Sequence, residues 1–111
     1  MARRKISQDP VVRAIKMHGY PTFQRALNYA LAWCVVADRI GHAPTTDEYR
    51  DWWNASLRTT ERERAAFKKV TGLEDPTPIL ERARAAGLEM DDSAGVPAGV
   101  ALLPFMQWKL S

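Results

Sequence analysis

The sequence predicts a mainly α protein of about five helices around one buried helix, and three observations support this. Helix start and stop signals recur along residues 9–87. Residues 22–40 are apolar almost all round, which is typical of a helix buried from several sides. The 111 residues suit one domain, and 46% hydrophobic with 26% charged residues is ordinary for a globular protein.

Capping residues set the boundaries of the first two helices. Asp9-Pro10 is an N-cap followed by proline at the first helical position, and Gly19 is placed to end that helix. The second helix is expected to follow residues 21–22 and to end near Ile40. Its apolar surface suits a central core helix or part of a dimer interface. We favour the core because small domains often pack around one such helix.

The next two helices are closely spaced. The third helix is expected to begin either with Thr45 and Glu48 as an N-cap signature or with Thr46 as the cap itself. It should end near Asn54, since asparagine tolerates a left-handed backbone. The fourth helix is expected to begin at Leu57 or at Thr60 and to run to about residue 70.

A fifth helix and an apolar tail complete the chain. Thr77-Pro78 and Gly87 frame the helix. Residues 88–111 follow as a loop and an apolar C-terminal tail, in which the alternation from Met106 indicates an extended segment or short strand. We expect this tail to dock on its own core or on a dimer partner.

Positive charge is concentrated in the first two-thirds of the chain. Residues 1–72 carry 13 Lys/Arg against 7 Asp/Glu, whereas residues 73–111 carry 3 against 6. This favours an anionic partner such as nucleic acid, and uneven charge on an ordinary protein surface is the alternative. Residues 1–8 are expected to form a flexible basic arm ahead of a helical domain at 9–87.

Residues 45–70 have the spacing of a helix-turn-helix, with about two turns of helix, a tight turn and a longer helix. The second helix opens with Ser56-Leu57-Arg58-Thr59-Thr60-Glu61-Arg62. This resembles the Ser-x-Arg-Thr-x-x-Arg opening of the recognition helix in bacterial and phage transcription regulators. The resemblance covers about residues 29–70, and it implies double-stranded DNA binding through this second helix.

The spacing of cations on that helix supports the same function. Arg58, Arg62, Ala65 and Lys69, here called the basic stripe, lie at i, i+4, i+7 and i+11. Long cations reach phosphates and guanine edges, and a small residue lets the backbone approach the groove. A solvated face with salt pairs is the alternative. The candidate DNA-binding residues are the stripe cations, the hydroxyls at the helix start, two flanking cations and the arm: Arg58, Arg62, Lys69, Ser56, Thr59, Thr60, Arg64, Lys68, Arg3, Arg4 and Lys5.

Two neighbouring tryptophans precede the turn. Trp52 and Trp53 share helical spacing with Tyr49. At least one of them is therefore expected in the core rather than stacked on bases.

No pattern in the sequence indicates an enzyme, a cofactor or a metal site. Cys34 is the only cysteine and is expected to be an inert core thiol. His18 and His42 have no acidic or cysteine partner at metal-ligand spacing. No signal-peptide core is present, and no apolar stretch approaches the roughly 20 residues of a membrane helix. We therefore expect a cytoplasmic protein that does not bind membranes.

The expected function is a small transcriptional regulator that binds double-stranded DNA, most simply as a homodimer. Two alternatives remain open. One is a phage DNA-packaging or structural assembly protein that uses the same helix-turn-helix. The other is a protein-interaction module that binds a host factor through the Trp/Tyr helix and the tail.

Overall fold

The computed structural model describes residues 9–88 and 102–110, and all regular structure within them is helical. The mainly α architecture is confirmed. There are six α-helices and one 3₁₀-helix in these ranges: α1 Pro10–His18, α2 Tyr20–Ile40, α3 Thr46–Trp53, α4 Leu57–Thr71, α5 Thr77–Ala85, α6 Leu103–Met106 and the 3₁₀-helix Gln107–Lys109.

The long α2 helix is the centre of the domain, as its apolar surface predicts. It packs against α4 along much of its length and also contacts α1, α3 and α5. Its ten buried residues are spread around the helix: Phe23, Ala26, Leu27, Tyr29, Ala30, Trp33, Cys34, Val35, Val36 and Ala37. These side chains are covered by the chain's own helices, so α2 is the core helix of the domain.

Local capping explains most helix boundaries. Asp9 Oδ1 accepts a hydrogen bond from the Val11 N–H at 2.9 Å, which caps α1. Gly19 has φ +88°, a value that glycine reaches without strain, and one residue there separates α1 from α2. The second helix begins at Tyr20, ahead of the predicted start after residues 21–22. Pro21 fits the first turn because N–H groups there have no acceptor within the helix, so its missing N–H costs no hydrogen bond.

The C-terminal tail differs from the expected strand. Within 102–110 it forms α6 and the 3₁₀-helix, and it packs on α5. Leu102, Met106 and Leu110 are buried at a four-residue spacing, whereas Trp108 is 44% exposed and breaks the apparent alternation. Pro104 supports the helix because its fixed φ suits a first turn. Residues 102–110 therefore pack on the chain's own core.

Candidate nucleic-acid interface

The turn between α3 and α4 is held by backbone geometry and by one arginine. Of the two predicted caps, Thr45 is the N-cap of α3, and it forms a capping box with Glu48. Asn54 ends α3 in the left-handed conformation at φ 53°, as predicted. The Ala55 N–H donates to the Arg50 carbonyl at 3.0 Å, and Arg50 Nε donates back to the Ala55 carbonyl at 3.2 Å. These bonds fix the path of the chain from one helix to the next.

An aromatic cluster fixes both helices of the pair to α2. The ring centroid of Tyr29 on α2 lies 5.4 Å from that of Tyr49 on α3 and 5.7 Å from that of Phe67 on α4. The Tyr49 hydroxyl donates to Glu63 Oε1 on α4 at 3.5 Å. Phe67 and Val70 are fully buried, so the inward face of α4 is part of the core.

Burial also sets the protonation of this contact. It raises the pKa of the Tyr49 hydroxyl, and the nearby Glu63 carboxylate raises it further. The phenol therefore keeps its proton at neutral pH and remains a donor. Burial raises the pKa of Glu63 as well, against the opposing effects of the Tyr49 hydrogen bond and the Arg25 charge.

The basic stripe lies on the opposite side of α4 from this core. Arg58, Arg62, Ala65 and Lys69 are all exposed. On a helix of 3.6 residues per turn they fall within a sector of about 60°. The core residues occupy the opposite sector, so the stripe points away from the domain. The structure thus brings together three cations and one small residue on a surface that a large ligand can reach.

Hydroxyls at the start of α4 behave differently from one another. Ser56 is the N-cap, and its Oγ accepts from the Thr59 N–H at 3.1 Å and donates to Thr59 Oγ1 at 3.0 Å. Both residues are exposed. Thr60 is only 3% exposed, and its hydroxyl donates to the Ser56 carbonyl at 2.9 Å. The prediction that Thr60 contacts phosphate is therefore wrong, because its side chain faces the core. The helix begins at Leu57, not at Thr60.

The flanking cations lie nearer the α4–α5 connection. Lys68 Nζ forms an ion pair with Glu74 Oε2 at 2.8 Å, with both side chains well exposed. Arg64 lies off the basic stripe and lines a groove together with Glu74 and Asp75. The arm cations Arg3, Arg4 and Lys5 lie outside the described residues, as does the loop at 89–101.

Sequence reasoning missed an apolar patch around the turn. Trp52, Trp53 and Leu57 are 41%, 36% and 45% exposed. Neither tryptophan is a core residue, because Tyr49 takes the inward position on this short helix. Trp53 lies at the edge of the core, where its Nε1–H donates to the Ala32 carbonyl of α2 at 3.2 Å. The signal in the sequence that could have predicted the exposure of Trp52 is the set of polar residues around it on the helix.

Two features are absent from the described residues. No helix there is both long and apolar enough to cross a membrane. Nor do the described ranges hold a group of three or more His, Cys, Asp or Glu residues suited to a metal ion.

Comparison with protein-family models, with curated proteins and with solved structures found no match to this chain.

Proposed function

We propose that this protein binds double-stranded DNA through the exposed face of α4 and acts as a small transcriptional regulator. One observation carries the proposal: the basic stripe lies opposite the buried face of a helix that follows a tight, hydrogen-bonded turn. A helix presented in this way can enter the major groove with its cations facing the base edges and the phosphates.

The length of the stripe assigns different tasks to its two ends. Arg58 and Lys69 are eleven residues apart, which at 1.5 Å per residue is about 16 Å along the axis. The major groove of B-DNA is about 12 Å wide. When the first two turns of α4 lie in the groove, Arg58 and Arg62 face base edges, and Lys69 lies over the phosphate backbone. Ala65 lets the helix approach closely between them.

The start of α4 adds a place for a phosphate. Ser56 and Thr59 are exposed there, and the Ser56 hydroxyl already caps the Thr59 N–H. The Thr60 N–H bonds to the Ser56 carbonyl. The N–H groups of Leu57 and Arg58 remain in the first turn, where the helix dipole favours an anion. Arg64, Lys68 and the basic arm strengthen the positive potential around this surface.

The experiment is a fluorescence anisotropy titration of a labelled random-sequence duplex at several salt concentrations. The wild-type chain is compared with Arg58→Gln/Arg62→Gln. The matched control is Arg13→Gln/Lys16→Gln, which removes the same charge from exposed positions on α1. We expect the stripe variant to bind more weakly. On a random sequence Arg58 and Arg62 have no fixed base partner and contact phosphates instead, so the salt slope should fall by about 0.9 for each such contact removed. The α1 variant should keep the wild-type slope.

Two results would contradict the proposal. One is no duplex binding by the wild-type chain at low salt. The other is equal weakening by the stripe and α1 variants, because DNA would then respond to overall charge and not to α4.

The apolar patch at the turn supports a second candidate function, contact with a protein partner. Trp52, Trp53 and Leu57 present large apolar surface beside the same turn, a composition typical of interface cores. Such contact should persist at salt concentrations that abolish DNA binding. Trp52→Ala should weaken it, whereas Arg58→Gln/Arg62→Gln should leave it unchanged.

A further inference from the structure

A groove of about 300 Å³ opens beside the helix-turn-helix, and none of the stripe residues lines it. It is bounded by α2, by the start of α3, by α4 and by residues 74–75 ahead of α5. Its volume is at the small end of the range for ligand sites. Three aromatic residues contribute to its wall: Tyr29, Trp33 and Tyr49.

Two of these buried aromatic residues carry donors that have no partner in the described chain. Tyr29 is 5% and Trp33 is 4% exposed. The Tyr49 hydroxyl is bonded to Glu63, but neither the Tyr29 hydroxyl nor the Trp33 indole N–H has a hydrogen-bond acceptor within residues 9–88 and 102–110. Within the described residues, His18 Nε2 is the buried side-chain polar atom that lacks a partner, so the Tyr29 and Trp33 donors can be reached from solvent. A bound group with acceptor oxygens would satisfy donors that line this groove.

Arg64 supplies a cation at the same place. It lines the groove, and it belongs to none of the ion pairs His42–Glu48, Lys68–Glu74 and Arg84–Asp38 that the described residues form. Arg64 and Tyr29 both line the groove; burial raises the pKa of Tyr29, and the charge of Arg64 opposes that rise. A guanidinium beside a hydroxyl donor is suited to a carboxylate.

The acidic residues of the groove are not equivalent. Glu74 is paired with Lys68 at 2.8 Å, and Asp75 Oδ1 accepts the Thr77 N–H at 2.9 Å. Glu61 is exposed and takes no part in these contacts. The groove is therefore lined by two donors with no partner in the described residues, by the Arg64 cation and by the Glu61 carboxylate, which precedes Arg64 by three residues on α4.

We propose that this groove binds a small zwitterion of amino-acid size. Its carboxylate faces Arg64 and the Tyr29 hydroxyl, and its ammonium faces Glu61. A simple anion would meet the nearby carboxylates without compensation, and a simple cation would meet Arg64 without compensation and leave the Tyr29 donor unused. The aromatic wall favours a ligand that carries a ring.

The test uses three probes that differ by one charged group, in the absence of DNA. L-phenylalanine, phenethylamine and 3-phenylpropionate are titrated into the ¹⁵N-labelled chain and followed by amide chemical shifts. We expect saturable binding of L-phenylalanine with shifts around the groove. Phenethylamine, which lacks the carboxylate, and 3-phenylpropionate, which lacks the ammonium, should each bind roughly tenfold or more weakly.

Single-residue variants locate the site. Tyr29→Phe removes the hydroxyl and keeps the ring that packs on Tyr49 and Phe67, so the fold is retained. Tyr29→Phe and Arg64→Gln should each weaken L-phenylalanine binding by roughly tenfold. Tyr20→Phe, which alters an exposed tyrosine of the same helix, should bind as the wild type does.

Three outcomes would overturn the inference. They are no saturable binding of L-phenylalanine at millimolar concentration, equal binding of either single-charge probe, and wild-type affinity in both Tyr29→Phe and Arg64→Gln. Because no DNA is present, none of these results bears on the proposed function.

Discussion

Phe67→Ala is expected to destabilise the domain far more than Arg62→Ala, although both residues lie on α4. The Phe67 side chain is fully buried, and its ring centroid is 5.7 Å from that of Tyr29 on α2. Truncation of a buried phenylalanine to alanine removes its transfer free energy and leaves a cavity, at a cost of about 3–5 kcal/mol. Arg62 is exposed, and such substitutions change stability by about 0.5 kcal/mol or less.

The size of this effect makes a milder variant useful. A domain of this kind has a total unfolding free energy of about 5–15 kcal/mol, so Phe67→Ala could leave little of it. Phe67→Leu removes three carbons, and at about 0.8 kcal/mol per buried carbon it should cost roughly 2 kcal/mol. That variant stays folded and its loss can be measured.

The assay is urea unfolding followed by far-ultraviolet circular dichroism. The wild type, Phe67→Leu and Arg62→Ala should share one slope, and only Phe67→Leu should shift the midpoint substantially. Equal losses in both variants, or no loss in Phe67→Leu, would refute the division of α4 into a core face and an exposed basic face.

Three further predictions concern protonation, reactivity and the turn. Burial raises the pKa of Glu63 above its ordinary 4.5, so its contribution to stability is present below that pH and is lost as pH rises through the raised value. Urea unfolding from pH 4 to pH 7 should therefore show Glu63→Gln gaining stability relative to the wild type, and parallel curves would contradict this. Cys34 is fully buried, and burial raises its pKa to about 12, so dithionitrobenzoate should label it only as urea unfolds the chain. Rapid labelling of the folded protein would show that the thiol is accessible. Asn54→Ala should lower unfolding free energy by about 1 kcal/mol because alanine resists the left-handed backbone at φ 53°, whereas Asn54→Gly should lose much less.

Helix ends were predictable because capping is local chemistry. Asp9 and Gly19 bound α1 as expected, and Thr45 with Glu48 caps α3. The start of α4 was ambiguous, since Ser56 and Thr60 both suit an N-cap. Tertiary packing decides between them: Thr60 is buried and its hydroxyl turns back to the Ser56 carbonyl, which leaves Ser56 as the cap.

The tail and the tryptophans depended on packing that the sequence does not reveal. Alternation over so few residues could not be told from the four-residue spacing that buries Met106 and Leu110. Trp53 has helical spacing with Tyr49, but α3 is too short to bury a second aromatic residue against α2. Spacing along one helix predicts which residues share a face. Whether that face is buried depends on the neighbouring helices.

In the candidate interface too, local spacing predicted one part and long-range packing determined the other. Exposure of the basic stripe followed from the periodicity of α4 alone, because a buried apolar face fixes the opposite one. The groove was not predictable, since its walls come from residues far apart in the chain, such as Tyr29 and Asp75. Contact of the stripe with DNA remains a prediction.

Mapping of a DNA complex by amide chemical shifts tests the central claim most directly. The ¹⁵N-labelled chain is titrated with a short duplex at low salt, and perturbations are assigned along the sequence. The account predicts the largest changes at Arg58, Arg62 and Lys69, with little change on α1. Perturbations concentrated away from α4, or none at saturating duplex, would contradict it.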